Sequence, residues 1–233
     1  MKIALIGCGS MGRVVKELAR EKGHQIETVF SSSEAGLSAE QLAERLQNAE
    51  VAIDFSVAEA VRRNVLACLK ARIPLVEGTT GWLHELEDIK NLVQEADGAF
   101  VYGANFSIGV NLFYKIIDFT SHLIANFPEY DVFIEERHHK RKKDAPSGTA
   151  LKIKQIIDAN LKRETTVNVT RAGSIPGTHT VGFDSQADTI ELTHSARSRE
   201  GFALGAIFAA EWICNKKGFY EFPQIIESLF ETS

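Results

Sequence analysis

The sequence predicts an α/β protein with two parts: a doubly wound parallel sheet, and a second α+β domain built on a mixed or antiparallel sheet. Three observations lead to this fold class. Short apolar runs alternate with helical patterns through the first half of the chain, a glycine-rich turn follows the first run, and closely spaced strands dominate the later part. Alternating strands and helices are typical of βαβ units, whereas strands joined by short turns favour antiparallel pairing.

The first half of the chain supplies the parallel sheet. Its apolar runs predict strands at residues 2–6, 25–30, 51–55, 74–77 and 99–102, with helices at residues 13–22, 38–48, 58–72 and 82–96. Small or polar residues follow each strand at once. Because ligands of a doubly wound sheet bind at the carboxyl ends of its strands, we expect the binding site at this edge.

The second half has a different pattern. Helices are expected at residues 110–126 and 149–162, and strands at residues 131–135, 167–171, 179–183 and 189–194. Two final helices, at residues 202–216 and 223–230, are expected to return to the first domain. The predicted domains are therefore residues 1–105 with 206–233, and residues 106–205.

The composition excludes several classes of protein. The chain has 233 residues, 26 Lys plus Arg against 31 Asp plus Glu, and a formal net charge of -5. A general nucleic-acid or membrane-surface binder needs a broad positive field, so neither partner is expected. Cys8, Cys68 and Cys214 lie far apart without zinc-ligand spacing, which predicts neither a disulfide framework nor a metal site. With no apolar run near the roughly 20 residues of a membrane span, we expect a cytoplasmic protein.

A glycine-rich turn stands directly between the first strand and the first helix. Gly7 permits a tight turn, Gly9 lets the backbone approach a pyrophosphate, and Gly12 lets helix and strand pack closely. In this context the motif predicts a Rossmann-like dinucleotide site. The residues that match GxGxxG are Gly7, Cys8, Gly9, Ser10, Met11 and Gly12.

The end of the second strand should report on cofactor choice, since an acidic residue there binds the ribose 2′-hydroxyl of NAD. Ser31, Ser32 and Ser33 occupy this position, and Glu34 follows slightly late. The hydroxyls could bond to a 2′-hydroxyl or to a 2′-phosphate, or the serines could form only a solvated turn. The sequence therefore leaves both NADH and NADPH open.

A cationic segment precedes the helix at residues 149–162. All positions from 137 to 143 are Arg, His or Lys, which suits a solvated loop, a nucleic-acid patch or a pocket for a small polyanion. Pro146, Ser147, Gly148 and Thr149 then open the helix, whose free N–H groups bind anion oxygens. The segment lacks aromatic residues for base stacking. A nicotinamide site beside an anion seat with His and Lys indicates reduction of a small acidic substrate.

These residues resemble the dihydrodipicolinate reductase family. The family signature E-x-H-H-x-x-K-x-D-A-P-S-G-T matches the chain from Glu136 to Thr149. The resemblance extends over nearly the whole chain, although the second domain looks short around residues 163–177. Supporting matches are the glycine turn, Asp54-Phe55-Ser56, Gly78-Thr79-Thr80-Gly81, Ala104-Asn105-Phe106-Ser107, Gly109-Val110-Asn111, Thr193-His194, Ser198-Arg199 and Phe202-Ala203.

The resemblance implies NADPH or NADH as cofactor, a cyclic dicarboxylate substrate that is reduced to tetrahydrodipicolinate, and a homotetramer formed through the sheet of the second domain. It implies that His138 is the catalytic proton donor or acceptor and that Lys142 is the general acid. His139, Gly148 and Thr149 would bind the substrate carboxylates. The glycine turn would hold the pyrophosphate, and the nicotinamide side would be lined by Gly78, Thr79, Thr80, Gly103, Ala104, Asn105 and Phe106.

Two other functions remain possible on the sequence alone. A related two-domain oxidoreductase, such as an amino-acid or semialdehyde dehydrogenase, would share the glycine turn but not the segment from Glu136 to Thr149. A nucleotide-sensing regulatory protein would bind the cofactor without turnover. We interpret four further residues as structural: His194 at a strand end, Asp144 in the turn before the helix or paired with Lys142, and Trp82 and Trp212 in packing.

Overall fold

A computed structural model of the chain describes residues 1–230. The chain forms two compact units. The first combines Met1–Ile108 with the C-terminal part from Arg199 onward, and the second is Gly109–Ser198. The expected domain boundary between residues 205 and 206 falls inside a helix that belongs wholly to the first unit.

The first unit is built on a parallel sheet of six strands in the order β10-β5-β4-β3-β1-β2. The chain adds β2 on one side of β1 and β3 on the other, so the strand order reverses between β1 and β3. That reversal opens a crevice at the carboxyl ends of these strands, where ligands of such sheets bind. The strands are β1 (Lys2–Ile6), β2 (Gln25–Phe30), β3 (Val51–Asp54), β4 (Leu75–Glu77), β5 (Ala99–Tyr102) and β10 (Gly218–Glu221).

Helices cover both faces of this sheet, as a doubly wound fold requires. Along β1, Ile3 and Leu5 face one hydrophobic core, whereas Ala4 and Ile6 face the other. The first core includes residues of α1, α7 and α8, and the second includes residues of α2, α3, α4 and the buried Trp82. The helices are α1 (Ser10–Glu21), α2 (Ala39–Leu46), α3 (Val61–Ala71), α4 (Leu86–Glu95), α7 (Glu200–Ile213) and α8 (Phe222–Ser228).

The C-terminal segment departs from the sequence prediction. The helix expected at residues 202–216 ends at Ile213, and β10 follows it as a strand that the sequence did not predict. β10 has only four residues and pairs in parallel with β5, from Gly218 beside Ala99 to Glu221 beside Tyr102. A strand this short carries too little periodicity to be recognised, so only its pairing with the sheet edge identifies it. Trp212 packs at this edge against the ring of Tyr220, which confirms its structural role.

The second unit packs two helices on a mixed sheet with the order β7-β6-β8-β9. β6 pairs in parallel with β7 and antiparallel with β8, and β8 pairs antiparallel with β9. Its core contains apolar residues of both helices, including Phe113, Ile117 and Ile153, together with Ile134 and Val181 of the sheet. The elements are α5 (Ile108–Ile124), β6 (Asp131–His138), α6 (Gly148–Leu161), β7 (Val167–Arg171), β8 (Thr178–Asp184) and β9 (Thr189–Ser195).

β6 runs three residues beyond the strand predicted at 131–135, and this extension carries Glu136 and His138 into the fold. Along β6, Ile134, Glu136 and His138 are buried, whereas Glu135 and Arg137 are exposed. The alternation is that of a strand, but two of its inward positions are polar, which conceals it in the sequence. Within residues 1–230, no helix is long and apolar enough to cross a membrane.

Candidate functional site

The glycine turn after β1 has the geometry that a dinucleotide site needs. Gly7 has a φ of 89°, in the left-handed region that favours glycine. A Cβ on Gly12 would lie 2.0 Å from the carbonyl oxygen of Gly7, so only glycine allows α1 to approach the turn this closely. A Cβ on Gly9 would meet no atom within 4 Å, so the turn is open on the side where a ligand would approach.

The N-terminus of α1 leaves backbone donors available beside this turn. Gly9 is the N-cap residue and has no side chain to accept a hydrogen bond. The first backbone amide bonded into the helix is that of Arg13, which donates to the carbonyl of Gly9 at 3.2 Å. The amides of Ser10, Met11 and Gly12 have no acceptor among residues 1–230. Free amides at a helix N-terminus bind anions such as a pyrophosphate, so the predicted residues fit this group.

The serine turn after β2 closes around Glu34 rather than remaining a free polar loop. One carboxylate oxygen of Glu34 accepts bonds from the Ser31 amide at 2.8 Å, the Ser31 hydroxyl at 3.0 Å and the Ser33 hydroxyl at 2.7 Å. These hydrogen bonds, led by that from the Ser31 backbone, lower the pKa of Glu34 to about 2. Ser32 is exposed in the same turn. An ionised carboxylate therefore stands at the end of the second strand, in the region that reads the ribose.

The turns after β3 and β4 are joined to each other. The Ser56 amide donates to Asp54 at 2.7 Å and to the Thr79 hydroxyl at 3.1 Å. The Thr79 amide donates to Glu77 at 2.7 Å, and the indole of Trp82 donates to the Thr79 carbonyl at 2.9 Å. These bonds hold the predicted nicotinamide-side residues Gly78, Thr79 and Thr80 in one place, on a sheet edge that also carries the glycine turn.

The connection from β5 to α5 contains Gly103, Ala104, Asn105 and Phe106. The ring of Phe106 is only 2% exposed and packs 4.7 Å from the ring of Phe222, so this side chain belongs to the core. The Asn105 side chain accepts a bond from the Ser107 amide at 2.9 Å. Of these predicted cofactor residues, Ala104 and Asn105 are therefore the ones whose side chains are accessible.

In the second unit, the register of the sheet brings four polar residues together. Arg171 lies beside His138 across the β6–β7 pair, and Glu136 lies beside His179 across the β6–β8 pair. The Glu136 side chain is 0% exposed and accepts from the Arg171 guanidinium at 2.5 Å and from the Ser147 amide at 2.6 Å. Burial raises the pKa of Glu136, but the bonds from Ser147 and Arg171 outweigh burial and hold it below its usual range. Glu136 is therefore a buried, ionised carboxylate.

This carboxylate defines the orientation of His138. Nδ1 of His138 lies 2.9 Å from Glu136 Oε1, and because Glu136 is ionised, Nδ1 is the nitrogen that donates. Burial lowers the pKa of His138, an effect that Glu136 opposes and Lys142 reinforces. At neutral pH the ring is therefore neutral, with Nε2 as a free lone pair. Glu136 lies within the matched signature, but no role for it was predicted from the sequence.

The start of α6 is tied to the same cluster. Ser147 is the N-cap of α6, since its hydroxyl accepts from the Ala150 amide at 3.2 Å. The same hydroxyl lies 3.2 Å from Nε2 of His179, a buried residue of β8. Burial and the neighbouring His138 lower the pKa of His179 to about 4, so this ring is neutral near pH 7. Nothing in the sequence set His179 or Arg171 apart from other polar strand residues.

The remaining predicted residues of this site lie around the α6 N-terminus. The Gly148 amide has no acceptor among residues 1–230, and Thr149 occupies the first turn. His139 is half-buried, and its Nδ1 is buried without a partner in the described part of the chain. Lys142 is 23% exposed and pairs with Asp144 at 2.9 Å, which confirms that Asp144 is a partner of Lys142. The free amide of Gly148 suits a carboxylate ligand.

The structure divides the cationic segment into two groups. His138 is buried and His139 and Lys142 are half-buried, whereas the remaining cations are exposed. The exposed group is Arg137, Lys140, Arg141 and Lys143. The ring of His194 in β9, which we interpreted as structural, lies 5.7 Å from the ring of Phe113 in α5, and the two rings are tilted. The residues predicted to act in catalysis or substrate binding, His138, His139 and Lys142, are therefore the members of the segment that are buried or half-buried.

Glu136, His138 and His179 have potential metal-ligating atoms within 4.8 Å of one another. The donor set does not suit a divalent cation. The guanidinium of Arg171 already occupies one oxygen of Glu136, and the Ser147 amide occupies the other. A second cation here would face the charge of Arg171 at close range.

Comparison with known proteins identifies the family and supports the fold. Family models described as the N-terminus and C-terminus of dihydrodipicolinate reductase match residues 1–106 and 109–226. The 4-hydroxy-tetrahydrodipicolinate reductase of Christiangramia forsetii is 38% identical over 99% of this chain and 100% of its own length. That of Archaeoglobus fulgidus is 37% identical over 97% of this chain and 100% of its own length. A dipicolinate-bound dihydrodipicolinate reductase from Paenisporosarcina sp. TG-14 shares the fold, with a TM-score of 0.78, 22% identity, and 97% and 99% of the two chains covered.

Proposed function

The chain belongs to the dihydrodipicolinate reductase family, and we propose that it reduces 4-hydroxy-tetrahydrodipicolinate, or its dehydrated form, to tetrahydrodipicolinate with NADPH or NADH. The observation that carries the proposal is the group at the end of β6: a neutral His138 oriented by Glu136, Lys142 nearby in the chain, and the open amide of Gly148. The cofactor, when bound, supplies a hydride. A sensor that only binds nucleotide has no need of this group.

The side chains divide the proton chemistry between them. Hydride addition to a conjugated imine builds negative charge on the substrate, and a nearby cation stabilises that charge. Because His138 is neutral at neutral pH, we assign the cationic role and the proton to the Lys142 ammonium, while His138 Nε2 accepts or relays a proton. The Gly148 amide, Thr149 and His139 bind the carboxylates of the substrate, so a ligand with one carboxylate should bind more weakly.

The first test is oxidation of NADPH and of NADH with substrate generated in situ from pyruvate and aspartate semialdehyde by a separate synthase. Lys142→Ala should lose about 100-fold or more in kcat, the range of a general acid. Lys143→Ala is the matched control, since Lys143 is the adjacent exposed lysine and should be unaffected. Tight cofactor binding without wild-type turnover would overturn the proposal and favour a nucleotide sensor.

The cofactor preference follows from Glu34. An ionised carboxylate at the end of β2 repels a 2′-phosphate and accepts a bond from a 2′-hydroxyl, so we propose NADH as the preferred cofactor. Glu34→Gln should lower the KM for NADPH more than that for NADH. Glu40→Gln, at another acidic residue with a lowered pKa, is the control and should change neither. A wild-type preference for NADPH that Glu34→Gln leaves unchanged would contradict this assignment.

We also propose that the protein acts in the cytoplasm and assembles as a homotetramer through its second unit. A row of exposed apolar side chains on and just beyond α5 supports self-association: Leu112, Ile116, Phe119, Leu123 and Phe127. Exposed apolar patches of this kind mark interaction surfaces. Light scattering after size exclusion should give four times the chain mass, and Phe119→Asp should reduce it. A monomeric wild type would refute the assembly.

A further inference from the structure

Two carboxyl groups lie side by side inside the first unit, in addition to the residues assigned above. Asp54 ends β3 and Glu77 ends β4, and the two are paired residues in the parallel register, so their side chains lie on the same face of the sheet. Both are 0% exposed. Two ionised carboxylates at this site would be strongly unfavourable in free energy, because burial and mutual repulsion both disfavour the second charge.

The hydrogen bonds to Asp54 identify it as the ionised member. Oδ1 accepts from the Ser56 amide at 2.7 Å, and Oδ2 accepts from Asn64 Nδ2 at 2.6 Å. The orientation of the Asn64 amide follows from Arg63, whose guanidinium donates to Asn64 Oδ1 at 3.0 and 3.2 Å. Asn64 must therefore present its NH₂ group to Asp54. Each oxygen of Asp54 receives a donor, which a carboxylate requires.

Glu77 has the opposite pattern. Its Oε1 accepts from the Thr79 amide at 2.7 Å, whereas its Oε2 is buried without a donor within residues 1–230. An ionised oxygen in that position would lack any compensation. A proton on Oε2 resolves this, since it can be donated to the neighbouring Asp54. Burial raises the pKa of Glu77 well above its usual range, and the charge of Asp54 raises it further.

We propose that Asp54 and Glu77 share one proton, carried by Glu77, and that this acid–carboxylate pair positions the two turns of the cofactor site that follow β3 and β4. Each carboxyl group binds the amide two residues further along the chain, Ser56 in one turn and Thr79 in the other. The bond from the Ser56 amide to the Thr79 hydroxyl then joins the turns. Asp54 and Glu77 are positioning residues rather than catalytic ones.

The proposal makes the two residues unequal in a way that substitution can detect. In Glu77→Gln, the amide oxygen can still accept from Thr79, and the NH₂ group can donate to Asp54 as the proton does in the wild type. In Asp54→Asn, one acceptor becomes a donor that faces Ser56 or Asn64, so one of these bonds is lost. Glu77→Gln should therefore act like the wild type, whereas Asp54→Asn should not.

The inference rests on the proposed use of this site for NADH or NADPH, and its test is binding rather than turnover. NADH affinity is measured by fluorescence titration of the wild type, Glu77→Gln, Asp54→Asn and the exposed control Asp88→Asn. We expect the dissociation constant to change by less than about threefold for Glu77→Gln and Asp88→Asn, and to rise about 10-fold or more for Asp54→Asn, as loss of a charged hydrogen bond predicts. Thermal melting of the same samples shows that each variant is folded.

Infrared difference spectroscopy tests the proton without relying on the fold of Asp54→Asn. The wild type minus Glu77→Gln spectrum near neutral pH should contain the carbonyl band of one protonated carboxylic acid. Absence of that band, or equal weakening of NADH binding by Glu77→Gln and Asp54→Asn, would overturn the proposal. A protein that binds NADH as expected but reduces no substrate would refute the proposed reaction while leaving the pair supported.

Discussion

Replacing Glu136 by Gln should damage both the stability and the activity of the second unit, because one buried carboxylate serves three partners. It receives the Arg171 guanidinium at 2.5 Å, the Ser147 amide at 2.6 Å and His138 Nδ1 at 2.9 Å. Glutamine has nearly the same shape but carries no charge and only one acceptor oxygen. The substitution therefore leaves the Arg171 side chain, 18% exposed, without its counter-charge.

The size of the effect follows from the burial. Removing one partner of a buried ion pair costs about 3 to 5 kcal/mol of unfolding free energy. For a chain of this length, that loss corresponds to a fall in Tm of roughly 6 to 20 °C. Because Glu136 raises the pKa of His138, the pKa of that ring should fall further in the variant, which NMR titration of the histidines would detect.

A double-mutant cycle with Arg171→Met separates the ion pair from the other contacts of Glu136. Arg171→Met alone leaves the carboxylate buried without its cation, and should raise the pKa of Glu136 as well as lower stability. The double variant should be more stable than the sum of the single losses predicts, by about 1 kcal/mol or more for groups in direct contact. A loss below about 1 kcal/mol for Glu136→Gln, or additive single losses, would refute the assignment of Glu136 as the centre of this cluster.

Three further predictions follow from single contacts. Gly12→Ala should cost about 1 to 3 kcal/mol of unfolding free energy, because its Cβ would meet the Gly7 carbonyl. Gly9→Ala should weaken NADH binding and keep the stability. Urea unfolding and fluorescence titration distinguish the two variants, and equal losses of stability would contradict the geometry. Ser147→Ala should cost about 1 kcal/mol as a lost N-cap and also reduce turnover, while Ser38→Ala, at the N-cap of α2, should reduce stability alone. The pKa of His179 is lowered in the folded protein to about 4, so the unfolded chain binds more protons than the folded chain between about pH 4 and 6.5. The free energy of unfolding should therefore fall as the pH drops through this range. The fall should be less steep in His179→Gln.

The sequence predicts the strands of the first unit well where each is a dense apolar run. β1 and β5 have the predicted bounds, since strands inside a parallel sheet are apolar at nearly every position. β2 also has the predicted bounds, although it is an edge strand that contains Gln25, Glu27 and Thr28. β10 is absent from the prediction because its four residues acquire their strand conformation from pairing with β5. The extension of β6 is absent for a different reason. Its inward positions carry Glu136 and His138, and local periodicity cannot distinguish a buried polar side chain from an exposed one.

The difference between buried and exposed polar side chains also limits what the sequence can predict about the site. Within the cationic segment, Arg137 and His138 are neighbours of similar chemistry, yet the first is exposed and the second is buried against Glu136. This difference in burial depends on β7 and β8, which bring Arg171 and His179 to β6 from more than thirty positions away in the chain. The motif match includes Glu136, but the match alone does not show that this carboxylate is buried or that it pairs with Arg171, which lies outside the motif.

Both units hold a buried carboxylate beside a proposed binding site, and the two charges are compensated in different ways. In the second unit, the carboxylate of Glu136 is compensated by a cation and stays ionised, so it can orient the neutral ring of His138. In the first unit no cation contacts Asp54 directly among the described residues, and the proton on Glu77 takes that role. A cofactor that becomes positively charged on oxidation is best placed above a site of net negative charge, whereas a dicarboxylate substrate is best placed beside cations. The shared proton leaves the Asp54–Glu77 pair with one negative charge, which suits such a cofactor, whereas the Glu136–Arg171 pair is neutral, so the positive charge for a dicarboxylate is assigned to Lys142.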